Sequence, residues 1–171
     1  MKRAYSLLTV KSINEDLRII EGLATTPTTD RVGDVVEPEG AQFKLPIPLL
    51  WQHQRDMPVG SVTAAKVTPE GISIKAQFAQ VTEPPSLKEE LDVAWAKVKA
   101  GLVGGLSIGF KDIETADIKG TWGIRYLKWL WLELSCVTIP ANADCSIQTI
   151  KSLDEELLRT RAPKHPGAVY L

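Results

Sequence analysis

The sequence predicts a single β-rich α+β domain with a barrel-like sheet and one or two helices packed on it. The chain has 171 residues, of which 44% are apolar and 24% charged, as in an ordinary globular domain. Most of it consists of short apolar segments separated by Gly, Pro, Asn and Asp, which is typical of strands and turns. We expect the folded domain to span residues 1–152 and a flexible basic tail to span 153–171.

The first quarter of the chain predicts strands on either side of a long loop. Segments 4–11 and 17–25 have strand composition and are joined by a polar turn. Residues 26–46 contain repeated Pro, Gly and Asp, which predicts a long loop. Loops of this length inside a compact domain are often functional. Residues 47–53 follow as a buried strand that ends in polar residues.

A hairpin and a helix are predicted next. Segments 59–67 and 72–79 form the hairpin, because the four residues between them have Pro at the second turn position and Gly at the fourth. The helix spans roughly 87–100, with Ser86 as its N-cap and Glu89 completing a capping box. Its buried face is predicted from helical spacing and consists of Leu87, Leu91, Ala94, Trp95 and Val98.

The last part of the domain predicts three further strands. Residues 103–111 form one. The long apolar run at 121–139 is predicted to be mostly interior, with residues 129–137 buried on both faces. A turn at 140–144 precedes a final strand at 146–150.

Composition argues against several classes of function. The net charge of −1 gives no field that would attract nucleic acid or an anionic membrane. Apolar runs stay well short of the ~20 residues that span a bilayer. Two cysteines and two histidines, without ligand spacing, argue against a zinc site or a disulfide framework. We therefore expect no metal and no cofactor.

Ser107 is a candidate nucleophile because of its neighbours. In a strand its side chain points away from those of Leu106 and Ile108, and Gly105 and Gly109 flank it on its own face. Such a cleared patch allows another backbone to approach closely. The alternative interpretation is a bend in the sheet, where the glycines relieve crowding and the serine is incidental.

Two further residues have side chains suited to acid–base chemistry. His53 ends an apolar segment, and it is the one histidine that lies outside the predicted tail. Glu133 lies within an apolar run, where an ionised carboxylate requires a partner. A histidine ring N–H would satisfy it, as in a catalytic triad. A salt bridge to Arg125 or Arg31 would satisfy it equally well.

Four stretches in order resemble the prohead maturation proteases of tailed bacteriophages, whose fold is similar to that of the herpesvirus assemblins. The stretches are EGLAT (21–25) before TDRVGDVV (29–36), LLWQH (49–53) before PVG (58–60), LVGGLSIGF (102–110), and LELS (132–135) before VTIPAN (137–142). The resemblance implies an assemblin-like fold, with Ser107 as nucleophile and His53 as general base. Glu133 follows Ser107 by 26 positions, close to the separation in the related viral proteases, and is assigned as the third member. Asp144 is the fallback.

The resemblance further implies a serine endopeptidase that cuts the scaffold region of the phage major capsid protein, and its own tail, during prohead maturation. It would act in the bacterial host cytoplasm, inside the assembling prohead, without nucleic acid or membrane. Related viral proteases are activated by dimerisation, so a dimer is one possible state. The sequence does not identify the oxyanion-hole and substrate-groove residues. The candidates are Gly105, Gly109, Ala141 and Asn142.

Two alternative functions remain open from the sequence. Cys145 follows an apolar strand and could act with His53 as a cysteine nucleophile, although incidental cysteines are far commoner than catalytic ones. The chain could also be a non-catalytic β-barrel that serves as a capsid-assembly or scaffold module.

Overall fold

The computed structural model describes residues 17–151. The predicted strand at 4–11 and the predicted tail at 153–171 lie outside this range. The described part contains one α-helix, α1 (Pro85–Lys99), a short 3₁₀ turn (Pro38–Gly40) and nine strands. The strands are β1 (Ile19–Thr25), β2 (Val35–Val36), β3 (Ala41–Gln42), β4 (Ile47–Trp51), β5 (Gln54–Thr68), β6 (Gly71–Phe78), β7 (Gly105–Asp117), β8 (Ile124–Val137) and β9 (Ile147–Lys151).

The strands form an open, mostly antiparallel sheet. Its main path runs in the order β2-β8-β4-β5-β6-β1-β9, while β3 and β7 each pair with β8. The predicted barrel-like sheet is therefore not confirmed, although the β-rich fold with a packed helix is. An isolated bridge between Gly105 and Ser146 connects the start of β7 to the residue just before β9.

Strand β8 is the centre of the region described below. It pairs antiparallel with β7 from Gly105 to Asp117. On its other side it pairs in parallel with β2, β3 and β4. A parallel pair requires a long connection between its strands. The end of β4 therefore lies beside residues of β8 that come some eighty positions later in the chain.

Burial along β8 differs from the prediction. Its middle is buried on one face, since Trp129 and Trp131 are buried while the alternating residues Leu130 and Leu132 are exposed. This alternation is expected of an antiparallel strand that has one solvated face. The prediction of burial on both faces holds for the last residues of the strand, from Leu134 to Val137.

The predicted hairpin is confirmed, because β5 and β6 pair antiparallel up to Thr68 and Gly71. The predicted capping box is wrong. Helix α1 begins at Pro85 with Pro84 as its N-cap, and a proline side chain has no oxygen that could accept a capping bond. Ser86 consequently lies inside the first turn.

Helix α1 buries most of the predicted face. Leu91, Ala94, Trp95 and Val98 are buried, whereas Leu87 is exposed. The Trp95 ring packs on Phe78 of β6 at a centroid distance of 5.2 Å. Within residues 17–151, no helix has the length and apolar character needed to cross a membrane.

The predicted loop at 26–46 is partly regular. It contributes β2, the 3₁₀ turn and β3, all of which follow the edge of β8. The indole N–H of Trp129 donates a hydrogen bond of 2.8 Å to the Glu37 carbonyl, and Arg125 forms an ion pair with the Glu37 carboxylate. Side chains of β8 thus fix a segment whose own sequence indicates only turns.

Candidate active site

The pairing of β7 with β8 brings together three side chains that can do chemistry. Ser107 lies opposite Ser135, and Gly109 lies opposite Glu133. Residues directly opposite in an antiparallel pair, and alternate residues within one strand, project on the same face. Ser107, Ser135 and Glu133 therefore share one face of the sheet.

His53 contacts the acid on this face. Its ring Nδ1 lies 2.7 Å from Oε1 of Glu133. The His53 side chain is 45% exposed and that of Glu133 is 16% exposed. The carboxylate is thus largely removed from water, while the imidazole is partly exposed. A hydrogen bond at Nδ1 leaves Nε2 as the ring nitrogen available to a nucleophile.

His53 lies in a tight turn and not in the strand predicted for 47–53. Strand β4 ends at Trp51, and Gln52 and His53 then adopt left-handed backbone conformations with φ of 52° and 60°. Two such residues in succession are costly, at about 1–3 kcal/mol each. The surrounding structure must offset that cost.

Hydrogen bonds to the end of β8 hold this turn. The Gln52 amide nitrogen donates to the Thr138 hydroxyl at 2.8 Å, and the Thr138 backbone N–H donates to the Gln52 amide oxygen at 3.2 Å. The Gln52 backbone N–H also donates to the Cys136 carbonyl at 3.0 Å. The strained turn is therefore anchored on the strand that carries Glu133.

The sequence analysis missed Ser135. Its hydroxyl donates to Oε2 of Glu133 at 2.8 Å and accepts from the His53 backbone N–H at 3.1 Å. A signal for it was present, because in the strand sequence Glu133-Leu134-Ser135 the serine shares a face with the glutamate.

Ser107 is nearly buried, at 6% exposure. Among residues 17–151, no hydrogen bond joins it to His53. In proteases without bound substrate such contacts are often long and tighten when substrate binds. Ser107 also borders a small cavity of about 50 Å³ beside the loops at 24–30 and 141–145.

Gly105 and Gly109, which flank Ser107 on β7, leave room for atoms of neighbouring residues. A Cβ at Gly109 would lie 2.2 Å from Oε1 of Glu133. A Cβ at Gly105 would lie 2.7 Å from Cδ of Pro140. Glycine at these positions is thus needed for internal packing. A role for either glycine in a substrate groove or oxyanion hole stays a prediction.

The loop after β8 lies beside Ser107. Ala141 and Asn142 both line the cavity at Ser107. The Arg31 backbone N–H donates to the Ala141 carbonyl at 3.0 Å, and the Arg31 Nε donates to the Pro140 carbonyl at 2.9 Å. The Asn142 side-chain amide donates to the carbonyl and the hydroxyl of Thr26, at 3.2 and 3.0 Å. This loop is therefore fixed next to the candidate nucleophile.

Asp144, the fallback acid, has other partners. Its Oδ2 accepts hydrogen bonds from the hydroxyls of Thr28 at 2.7 Å and Thr26 at 3.3 Å. The carboxylate that contacts His53 is that of Glu133.

Cys145 does not have the properties of a nucleophile. It is buried, and this burial, together with the nearby negative charge of Asp144, raises the pKa of its thiol to about 12, despite an opposing hydrogen bond with the Thr26 backbone. Reactive cysteines instead have lowered pKa values and partial exposure. The alternative of a cysteine protease therefore finds no support at this site.

A serine and a carboxylate on neighbouring strands, with a histidine in the adjoining turn, are the residue set of a serine hydrolase. Comparison with known proteins gives a more specific result. Residues 14–159 match the family described as caudovirus prohead serine protease. The chain belongs to this family, which confirms the family and the serine-protease class predicted from the sequence.

Individual relatives agree with this membership. The chain is 58% identical over 154 residues to the capsid polyprotein of Pseudomonas phage PAJU2, a match that covers 90% of this chain and 23% of the polyprotein. It is 27% identical over 158 residues to the prohead protease of Escherichia phage T5, covering 85% and 70% of the two chains. The chain thus spans less than a quarter of the polyprotein's length.

A similar solved structure is that of the KSHV protease in complex with a hexapeptide phosphonate inhibitor. The TM-score is 0.46 at 12% sequence identity, and the match covers 72% of this chain and 60% of the KSHV chain.

Proposed function

We propose that this chain is a serine endopeptidase in which Ser107 is the nucleophile, His53 the general base and Glu133 the orienting acid. The observation that carries the proposal is the 2.7 Å contact between His53 Nδ1 and Glu133 Oε1, on the sheet face that also bears Ser107. That contact fixes the imidazole so that Nε2 is the free nitrogen, which is the role of the acid in a triad.

The proposed reaction follows from these positions. His53 Nε2 takes the Ser107 proton as the hydroxyl oxygen bonds to the carbonyl carbon of the substrate. The imidazolium that forms is stabilised by the Glu133 carboxylate. It then donates the proton to the departing amine, which leaves an acyl-serine that water hydrolyses. Backbone N–H groups of the loop at Ala141 and Asn142 are the proposed donors to the oxyanion, because this loop borders the cavity at Ser107.

The proposed substrate is the scaffold region of the phage major capsid protein, together with the protease's own tail. Family membership and the similarity to part of a capsid polyprotein support a capsid substrate. The proposed place of action is the bacterial host cytoplasm, inside the assembling prohead.

The test is co-expression with the cognate major capsid protein, followed by intact-mass spectrometry. Wild type is compared with Ser107→Ala and with Ser73→Ala, which changes an exposed serine on β6. We expect capsid cleavage, and covalent labelling by a fluorophosphonate, in wild type and Ser73→Ala and neither in Ser107→Ala. Equal cleavage in all three would refute Ser107 as nucleophile. An unlabelled and inactive wild type would refute the enzymatic proposal.

A further inference from the structure

Ser135 is a buried polar residue at the centre of the sheet. It is 0% exposed and is paired on one side with Ser107 of β7 and on the other with Leu50 of β4. A buried hydroxyl is costly unless it forms hydrogen bonds. Ser135 forms two, and both are with the residues that are proposed to activate Ser107.

The Ser135 hydroxyl is part of a closed ring of three hydrogen bonds. Ser135 Oγ lies 2.8 Å from Glu133 Oε2, Glu133 Oε1 lies 2.7 Å from His53 Nδ1, and the His53 backbone nitrogen lies 3.1 Å from Ser135 Oγ. Both oxygens of the acid and both the ring and the backbone of the base are thus engaged. The ring joins β8 directly to the turn after β4.

The direction of each bond in the ring is fixed. An ionised carboxylate only accepts hydrogen bonds, and a backbone N–H only donates. The single Ser135 proton must therefore go to Glu133, while an oxygen lone pair receives the His53 N–H. Because the Ser135 side chain is completely buried, substrate does not reach it, and Ser135 is not a second nucleophile.

We propose that Ser135 is a positioning residue for the Ser107–His53–Glu133 site, an inference that rests on the function proposed above. It acts in two ways. By binding Oε2 it stops the Glu133 carboxylate from rotating, so that Oε1 stays directed at His53 Nδ1. By accepting the backbone N–H it holds His53 in its left-handed conformation, in which φ is 60°.

The first test is the Ser135→Ala substitution. It removes both bonds, and we expect kcat for capsid cleavage to fall by about 10- to 100-fold, because small misplacements of catalytic groups have effects of this size. KM should change little, because Ser135 is buried and does not contact substrate. Rates are normalised to the folded fraction. The Ser135→Thr variant retains the hydroxyl and should recover most of the lost activity.

Cys136→Ala is the matched control. Cys136 is the next residue on β8, is equally buried and points to the opposite face. This variant should lower stability while leaving kcat per folded molecule unchanged. A purely structural role for Ser135 would give the same result for Ser135→Ala.

A second readout does not depend on turnover or on the Thr variant folding. The hydrogen-bonded Nδ1 proton of His53 should give a downfield NMR signal, and the chain has just two histidines. We expect this signal in wild type and Cys136→Ala, and its loss or marked broadening in Ser135→Ala.

The outcomes separate this inference from the proposed function. If Ser135→Ala keeps kcat within about twofold and keeps the His53 signal while Ser107→Ala is inactive, the proposed function stands and the role of Ser135 is wrong. An inactive, unlabelled wild type refutes both catalytic roles, whatever the NMR result.

Discussion

The close packing of Glu133 on Gly109 offers a direct way to disturb the candidate site. A Cβ added there would lie 2.2 Å from Oε1 of Glu133 and 2.7 Å from both its Cδ and its Cγ. The carboxylate would have to withdraw by about 1 Å to reach an ordinary van der Waals distance. Because Oε1 is also the atom that lies 2.7 Å from His53 Nδ1, that contact would be lost or distorted.

We expect Gly109→Ala to lower the rate of capsid cleavage by about 100-fold, the scale associated with a 1 Å displacement of a catalytic group. Stability should also fall, by about 1–3 kcal/mol, because Cγ and Cδ of Glu133 must move and the buried Ser135 hydroxyl loses its acceptor. Cleavage is followed by mass spectrometry of the capsid protein, and stability by urea unfolding.

A double-mutant cycle provides the control. In a Glu133→Ala background the atoms that the new Cβ would meet are absent, so Gly109→Ala should have no further effect on cleavage. The reasoning is refuted if Gly109→Ala retains wild-type activity, or if it causes the same loss in both backgrounds.

Three further predictions concern the acid, the buried thiol and the turn that carries His53. Glu133→Gln should lower kcat by about 10²- to 10⁴-fold with little change in unfolding temperature, whereas Asp144→Asn should retain cleavage. If Asp144→Asn loses activity and Glu133→Gln retains it, Asp144 is the acid that orients His53. Cys145→Ala should retain cleavage, and a dead but folded variant would restore the cysteine hypothesis. Burial raises the pKa of the Cys145 thiol from 9.0 to about 12, so the thiol ionises first in the unfolded chain. Its contribution to stability is therefore complete below pH 9 and should fall as the pH rises towards 12. Urea unfolding across this range should show a shallower loss of stability with pH in Cys145→Ala than in wild type. Gln52→Ala removes two hydrogen bonds to Thr138 and should lower both kcat and stability, the latter by about 1–3 kcal/mol, while Gln54→Ala should change neither.

Local sequence signals predicted the local structure well. The Pro–Gly turn between β5 and β6 and the spacing of Leu91, Trp95 and Val98 gave a correct hairpin and a correct helix face. The capping box failed because Pro84 is the N-cap and Pro85 the first helical residue, which leaves Ser86 two residues past the N-cap. The barrel-like sheet was not confirmed, because closure of a sheet depends on which distant strands pair, and local patterns do not specify that.

In the candidate site, too, residues with a local sequence signal could be predicted and residues that depend on long-range pairing could not. Glu133 was identifiable because a carboxylate in an apolar strand needs a partner, and His53 because few histidines were available. Ser135 has no such contrast with its surroundings, since a serine is unremarkable in any strand. Its importance depends on the register between β7 and β8 and on the turn after β4, neither of which the neighbouring residues specify.

The arrangement around β8 also determines when the site can exist. Ser107 lies on β7 and His53 in the turn after β4, and both β7 and β4 pair with β8, which the ribosome synthesises after them. Until residue 137 has left the exit tunnel and β8 has inserted between β4 and β7, the base has neither its acid nor its anchor. A nascent chain at that stage therefore lacks the assembled site. Long-range pairing of this kind is slow to form, so the proposed site assembles only after the ribosome has passed β8.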